Sequence, residues 1–465
     1  MNLKLLSPDV LNQGRIRLLL VVLAVATGLL FSTKPLNADD VFFLHKAWSV
    51  AVQGTSPYTI YPFPLFPAIA GLVVRHLGLY GALWLKLAVC LLAIFFIFRT
   101  FRGRSVFYSF FGLVVFYLLL LNRFLDFRPE LLATLASLAL IYLLAAFRDS
   151  PLFRKPVFLL PWLVLLESLP FITPRYFIFS AFVGLVFLYL NRDRWLQIVL
   201  LALAALGLVL LLVVALAGLP PESFSALFKP DVRDVMSTKN RFRQMFGRNV
   251  LGLYLFIVVA MLVHVRRGRF FSGGMALLFA GVAAYIGFEF VVDPVPYRYV
   301  AQPTVLLIAA FVFFEFLQPR ECCLGRDVFR ARGRPFRFVT IFLLLLFSFN
   351  FIRDVSELSR SVRNWAVQDE VLACTSLPET RIITPEKLNP VQHVCLAQKV
   401  CAAYPGYTVF TDSYRWSPVC LPDRYSGDYW LGLLQREELV SRIEALPDHR
   451  KLLNDKDRGV YFYKE

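Results

Sequence analysis

Long apolar runs, separated by short polar or basic connections, dominate the first three quarters of the chain. A helix that crosses a bilayer needs about 20 mainly apolar residues, with about 17 as the lower limit. Runs of this kind predict eleven membrane-spanning helices. They are 16–33, 79–98, 105–121, 131–147, 156–172, 176–191, 195–217, 249–265, 272–292, 299–317 and 336–352. The pattern therefore predicts a polytopic α-helical membrane protein.

One further apolar segment, 63–77 (FPLFPAIAGLVVRHL), is shorter than a span and carries Pro64 and Pro67 near its start. Because it is too short to cross the hydrocarbon region, it is predicted to be an interfacial helix in the headgroup layer. Counting it as a span would reverse the sidedness of every later loop.

Composition supports the membrane class. Residues of the apolar and aromatic types make up 58% of the chain and charged residues 17%. Soluble domains carry about 25% charged residues, and disordered chains combine low hydrophobicity with high charge. A soluble enzyme and a disordered protein are both excluded.

The net charge of +17 is a topology signal. Residues 353–465 are nearly balanced, with 15 Lys/Arg and 16 Asp/Glu, so the excess lies in the first 352 residues. With eleven spans and a cytoplasmic N-terminus, inner loops hold 20 Lys/Arg and outer loops 13, as the positive-inside rule requires. The first span is interpreted as uncleaved rather than as a signal peptide. Nucleic acid is not indicated as a partner, because the basic residues form no contiguous face.

The first outer loop, 34–78, carries Asp39 and Asp40 just after the first span. Val41, Leu44 and Trp48 follow at helical spacing, so the aspartates could simply cap a short amphipathic helix. Alternatively, one of them is a general base at the membrane surface, where a low dielectric raises the proton affinity of a carboxylate.

The other outer loops carry further charge at the membrane rim. Each charge alone could be a snorkelling helix end, but together they form a set on one predicted side. Arginine suits phosphate because its planar fork binds two oxygen atoms, so the set favours a lipid-phosphate substrate. The long loop 218–248 is either a mobile lid or a solvated basic linker. The outer-loop residues concerned are Arg128, Glu130, Arg175, Arg298 and, in the long loop, Arg243.

Residues 353–465 are polar and are predicted to form a small α/β domain outside the cytoplasm. Its predicted strands are 381–384, 407–411 and 460–463, and its predicted helices are 354–374 and 437–446. Four cysteines could form two disulfides in that compartment, in any of three pairings, or remain four thiols. They are Cys374, Cys395, Cys401 and Cys420.

In order and sidedness, several short motifs resemble those of the GT-C superfamily, the integral-membrane glycosyltransferases that use polyprenyl-phosphate-linked sugars. Protein O-mannosyltransferases and the lipid A aminoarabinose transferase are relatives of this kind. The resemblance covers roughly residues 15–317. It is carried by Asp39-Asp40, by Gly54–Pro57–Tyr58 with YPFPLFP, by Arg128-Pro129-Glu130 and by Tyr297-Arg298-Tyr299.

The resemblance implies a GT-C-like catalytic region, 1–352, that transfers a sugar with inversion on the extracytoplasmic face of a bacterial inner membrane. The partners it implies are a polyprenyl-phosphate sugar donor, membrane lipid, and an acceptor glycan, lipid or protein. No metal-ligating motif is present, although clustered acidic groups leave room for a divalent cation. The alternative class is a transporter or flippase for a lipid-linked or anionic substrate.

Under the same resemblance each residue has an expected role. Asp39 or Asp40 deprotonates the acceptor, with Asp39 slightly favoured as the first of the pair. The donor phosphate is held by Arg298, Arg128, Arg175 and Tyr299, with Glu130, Tyr58 and Arg243 in support.

Overall fold

The computed structural model describes residues 8–32, 40, 43–44, 46–47, 50–51, 54, 56–57, 64–78, 81–100, 106–121, 124–147, 150–173, 176–220, 408–411, 436–455 and 460–463. Its longer helices up to residue 220 are α1 Pro8–Ser32, α2 Leu65–Leu77, α3 Gly81–Thr100, α4 Val106–Leu121, α5 Pro129–Phe147, α6 Pro156–Ile172, α7 Phe177–Leu190 and α8 Trp195–Ala217. Short 3-10 turns at Pro151–Arg154 and Arg192–Arg194 precede α6 and α8.

The described part of the chain is a helical membrane-type structure, as predicted. Four of its helical segments are long and apolar enough to cross a membrane: Gly14–Ser32, Gly81–Thr100, Pro129–Phe147 and Arg192–Ala217. The seven spans predicted up to residue 217 each coincide with a helix, and apart from the longer N-terminal end of α1 their ends agree within two residues. The four spans predicted beyond residue 248 lie outside the described residues, so the total of eleven stays a prediction.

Helix α2 is the segment predicted to be interfacial. Its 13 residues correspond to about 20 Å, which is shorter than a hydrocarbon core of about 30 Å. It contacts α3, α6 and α8, and its N-terminal half is buried. The helix therefore packs into the protein at one end of the other helices. The next connection turns at Gly78, whose φ of 62° is a left-handed value that glycine adopts readily.

The helices pack through small and branched apolar side chains. Helix α1 lies against α3 and α4, α3 lies against α5, and α6 contacts α5, α7 and α8. Gly28 of α1 allows the closest approach. A Cβ built there would overlap the Sγ of Cys90 in α3 and lie 3.2 Å from the Cζ of Phe116 in α4. The absence of a side chain at Gly28 thus sets how tightly α1 packs.

Two sets of connections identify the two ends of this bundle. At one end, the backbone N–H of Phe127, just before α5, donates to the carboxylate of Asp40. At the other end, the Arg194 guanidinium, just before α8, donates to the Phe153 carbonyl oxygen just before α6. We call these the Asp40 end and the Arg194 end. Helices α5, α6 and α7 therefore run alternately between them, as the predicted topology requires.

The described residues of the C-terminal region contain helix α9 Arg436–Glu444 and strands β1 Thr408–Thr411, β2 Lys451–Asp455 and β3 Val460–Tyr463. The strands form an antiparallel sheet in the order β1-β3-β2. The sequence predicted α9, β1 and β3, whereas β2 was not predicted. The predicted strand 381–384 and helix 354–374 lie outside the described residues.

Candidate functional site

The Asp40 end of the bundle contains a group of buried charged side chains. Asp40 is helical, and so are the described residues between 43 and 51. This agrees with the short helix that the sequence predicts after Asp39 and Asp40. The Asp40 side chain is 1% exposed, and its Oδ2 lies 3.6 Å from the Nζ of Lys86. Its other carboxylate oxygen, Oδ1, accepts the hydrogen bond from the Phe127 N–H. One buried carboxylate thus joins the segment between α1 and α2, helix α3 and the connection before α5.

Lys86 is the partner that makes the burial of Asp40 tolerable. It belongs to the second turn of α3, in an otherwise apolar run, and its side chain is 3% exposed. An unpaired charge in such surroundings is costly, because it loses its hydration without compensation. Both charges are paired here, so each offsets the desolvation of the other.

Aromatic side chains pack around this contact. The Phe66 ring of α2 lies 5.6 Å from the Phe127 ring and 5.6 Å from the Phe43 ring, both in edge-to-face arrangements. Offset and edge-to-face pairs are favourable beyond the area they bury. Phe127 therefore makes two contacts at this end of the bundle: its backbone N–H donates to Asp40, and its ring packs against Phe66 of α2.

A second charged group lies at the start of α5. The Nε of Arg128 is 3.8 Å from Oε2 of Glu130, and its Nη2 is 3.7 Å from Oδ2 of Asp126. These are ion pairs, since the distances exceed those of normal hydrogen bonds. Glu130 lies in the first turn of α5, where the helix dipole favours a negative charge. Arg128 and Glu130 are both buried.

Tyr176 and Thr134 extend this group along α5. Thr134 follows Glu130 by one helical turn, and its hydroxyl is 2.6 Å from the Tyr176 hydroxyl. Tyr176 lies between α6 and α7, so this hydrogen bond fixes that connection against α5. The Oγ1 of Thr173, in the same connection, is buried and has no hydrogen-bond partner among the described residues.

The geometry separates the roles that Asp40 and Arg128 can have. A general base must lie within hydrogen-bonding reach of the group it deprotonates. Asp40 offers almost no exposed surface, and both of its oxygens are engaged. Arg128 faces two carboxylates, so much of its charge is already balanced. Both residues suit an organising role at this end of the bundle.

The structure brings together three of the residues predicted from sequence, Asp40, Arg128 and Glu130, at one end of the helices. Asp40 contacts the backbone of residue 127, next to Arg128, and Arg128 pairs with Glu130. The other predicted site residues lie outside the described part of the chain. They are Asp39, Tyr58, Arg175, Arg243, Arg298, Tyr299 and the cysteines Cys374, Cys395, Cys401 and Cys420.

Sequence reasoning missed Lys86, Thr134 and Tyr176 as parts of this group. Lys86 carried a usable signal, because a lone lysine inside an apolar helix needs a buried partner. A threonine in a membrane-type helix and a tyrosine at a helix boundary are common and carry no comparable signal. Within the described residues, no group of three or more His, Cys, Asp or Glu side chains is arranged to hold a metal ion.

No family model, no curated protein and no solved structure matches this chain. The function is therefore argued from the residues and from the geometry of the Asp40 end.

Proposed function

We propose that the chain is a membrane glycosyltransferase that moves a sugar from a polyprenyl-phosphate donor to an acceptor on the extracytoplasmic face. One observation carries the proposal. The buried Asp40 joins the first outer loop to the connection that carries Arg128 and Glu130, at one end of helices long enough to span a membrane. Such a charged group at a lipid–water boundary suits a substrate with an apolar tail and a phosphate.

In this proposal Asp39 is the base and Asp40 is a positioning residue. The Asp39 carboxylate accepts the proton of the acceptor O–H or N–H, and the freed acceptor atom attacks the anomeric carbon. The bond between that carbon and the phosphate oxygen breaks, and polyprenyl phosphate leaves with the electron pair. A single displacement of this kind inverts the anomeric centre. Asp40 supports it because its contacts fix the chain next to Asp39.

The donor phosphate is assigned mainly to Arg175 and Arg298, together with Tyr299. Arg128 is already flanked by Asp126 and Glu130, so it contributes less net charge to a phosphate. Tyr176 lies next to Arg175 in sequence. Its hydroxyl contacts the hydroxyl of Thr134, which is one helical turn after Glu130 in α5. This contact keeps Tyr176 close to the start of α5, and so supports the assignment of Arg175.

Transfer from a panel of radiolabelled polyprenyl-phosphate sugars tests the proposal. Membranes would carry the wild type, Asp39→Asn, Asp40→Asn, the double variant Asp40→Asn/Lys86→Met, and Asp193→Asn as a control. Asp193 is an exposed acid at the Arg194 end. Loss of a general base costs about 10²–10⁴-fold in rate, so Asp39→Asn should abolish measurable transfer.

The double variant separates the two aspartates. A positioning role predicts that Asp40→Asn slows transfer and that adding Lys86→Met restores much of it, because neither member of the pair then remains charged. Restoration is not expected if Asp40 itself takes the proton. Transfer that survives Asp39→Asn rejects Asp39 as the base. No transfer from any donor rejects the glycosyltransferase.

The buried pair of Asp40 and Lys86 also fits a second candidate, a transporter or flippase for a lipid-linked or anionic substrate. Ionisable residues within apolar helices often line substrate pathways. Lys86 is in the second turn of α3, close to the end of the helix, which favours surface chemistry over a central pathway. Vesicles that contain the purified protein and a labelled polyprenyl-phosphate sugar distinguish a flippase from a glycosyltransferase. A flippase moves the labelled lipid to the other leaflet without forming a glycosylated product.

A further inference from the structure

The Arg194 end of the bundle contains a rigid junction between two connections. The Arg194 guanidinium donates to the carbonyl oxygens of Phe153 and Arg154 and to the side chain of Asn191. Asn191 in turn donates from Nδ2 to the Phe187 carbonyl oxygen. The Phe153 ring stacks on the Phe187 ring at 5.5 Å, which closes the junction. These contacts hold the start of α6 beside the start of α8.

Three basic side chains surround this junction, namely Arg154, Lys155 and Arg192, which we call the basic rim. All three are exposed. Within the described part of the chain, none of these three side chains forms an ion pair. Among the described residues, the acidic residue next to them is Asp193. Arg194 adds a fourth positive charge, so the local balance is strongly positive.

The backbone strengthens this positive potential. Helices α6 and α8 both begin at the junction, and neither has an acidic residue in its first turn or a side-chain cap on its N-terminus. The N-terminus of a helix carries a partial positive charge, and at neither place is it offset by a first-turn acid or a side-chain cap.

Exposed apolar side chains adjoin the basic rim on the side of the helices. Val157 is 85% exposed in the first turn of α6, and Trp195 and Leu196 are 58% and 56% exposed at the start of α8. Tryptophan is enriched where protein crosses from headgroups to hydrocarbon, because its ring is apolar and its N–H is polar. The surface therefore changes from basic to apolar within one helical turn.

We propose that this junction binds the phosphate headgroup of an anionic membrane phospholipid. Arg154, Lys155 and Arg192 contact the headgroup, and the acyl chains lie along Val157, Trp195 and Leu196. A soluble anion would use the charges but leave the apolar flank unexplained. A nucleic acid needs a longer basic surface than one junction provides. The site lies at the end of the bundle opposite Asp40, so it is independent of the proposed glycosyl transfer.

Titration of the full-length protein in a neutral detergent with phosphatidylglycerol tests the proposal, with bound lipid counted by native mass spectrometry. Each Lys or Arg near a membrane surface contributes about 1 kcal/mol to anionic lipid binding, or about fivefold in affinity. Arg192→Gln should therefore weaken the tightest lipid about fivefold. Neutralising all three rim residues should weaken it about a hundredfold. The charge-conserving Arg192→Lys should bind as the wild type does.

The matched control is Arg75→Gln, which removes one exposed arginine near the end of α2, away from the junction. It should leave the tightest lipid unchanged. The proposal is overturned if Arg192→Gln binds like the wild type, if Arg75→Gln weakens the same lipid equally, or if phosphatidylcholine is retained as tightly. Displacement of the lipid by millimolar inorganic phosphate would also overturn it, because the site would then be one for a soluble anion.

Discussion

The ion pair between Lys86 and Asp40 should be the largest single electrostatic contribution to the stability of the Asp40 end. The Asp40→Asn variant keeps an oxygen that can accept the Phe127 N–H but removes the charge facing Lys86. The Lys86→Met variant keeps an apolar stem of similar length but removes the ammonium. Either change leaves one buried charge without the opposite charge that lies 3.6 Å away.

The geometry gives the size of the effect. At a separation of 3.6 Å the Coulomb attraction is about 5 kcal/mol with an effective dielectric of about 20. Removing one partner of a buried pair destabilises a protein by about 3–5 kcal/mol, whereas replacing both with neutral groups is often close to neutral. We therefore expect a loss of about 3–5 kcal/mol for each single variant. The double variant Asp40→Asn/Lys86→Met should lie within about 1 kcal/mol of the wild type.

The chain offers a contrast of similar geometry in the C-terminal region. Asp448 and Lys451 are 3.5 Å apart, but the Asp448 side chain is fully exposed. Exposed pairs contribute about 0–1 kcal/mol because water screens them. Burial, rather than distance, is therefore the reason for expecting a large effect at Asp40.

The free energy of unfolding can be measured in mixed micelles by titration with SDS, with the helix content followed by circular dichroism. The wild type, the two single variants and the double variant form a double-mutant cycle. Asp193→Asn serves as a control, since an exposed substitution should change stability by less than about 0.5 kcal/mol. A coupling energy below about 1 kcal/mol, with the two single effects simply adding, would refute the reasoning. It would mean that the two buried charges do not compensate each other.

Two further changes test the packing and the hydrogen bonding of the bundle. Gly28→Leu should destabilise by about 1–3 kcal/mol in the same titration, because even an added Cβ overlaps Cys90. At Gly207 an added Cβ meets no atom of the described residues within 4 Å, so Gly207→Leu should be near neutral. Tyr176→Phe leaves the buried Thr134 hydroxyl without this partner and should lower the free energy of unfolding by about 1–3 kcal/mol. The double variant Tyr176→Phe/Thr134→Val should lose less stability than the sum of the two single variants. An unchanged SDS midpoint for Tyr176→Phe would mean that the 2.6 Å contact contributes little to stability.

The helices were predictable because each is a long apolar run that ends at charged or helix-breaking residues. Helix α8, for example, begins and ends where the sequence predicted, after Arg194 and before Gly218. Strand β2 was not predictable from its sequence, KLLND, because it shows no alternation of apolar and polar residues. It is recognisable only through its pairing with β3.

The candidate site was predictable only in part. The order of spans places Asp40, Arg128 and Glu130 on the same predicted side, and the structure brings them to one end of the bundle. The partners of Asp40 could not be derived in the same way. Lys86 lies on another helix, and the Phe127 N–H is 87 residues away in sequence. Such contacts depend on how far each helix is shifted along its neighbour, which a hydropathy pattern does not determine.

The strand order β1-β3-β2 has a consequence for how this sheet can form during synthesis. Strand β3 lies between the other two, yet the ribosome makes it after both of them. Among the described strands β1 and β2 are joined only through β3, so neither can complete its ladder until β3 is in place. A variant truncated before Val460 should therefore leave β1 and β2 without the strand that joins them, so the sheet should not form even though two of its three described strands are present.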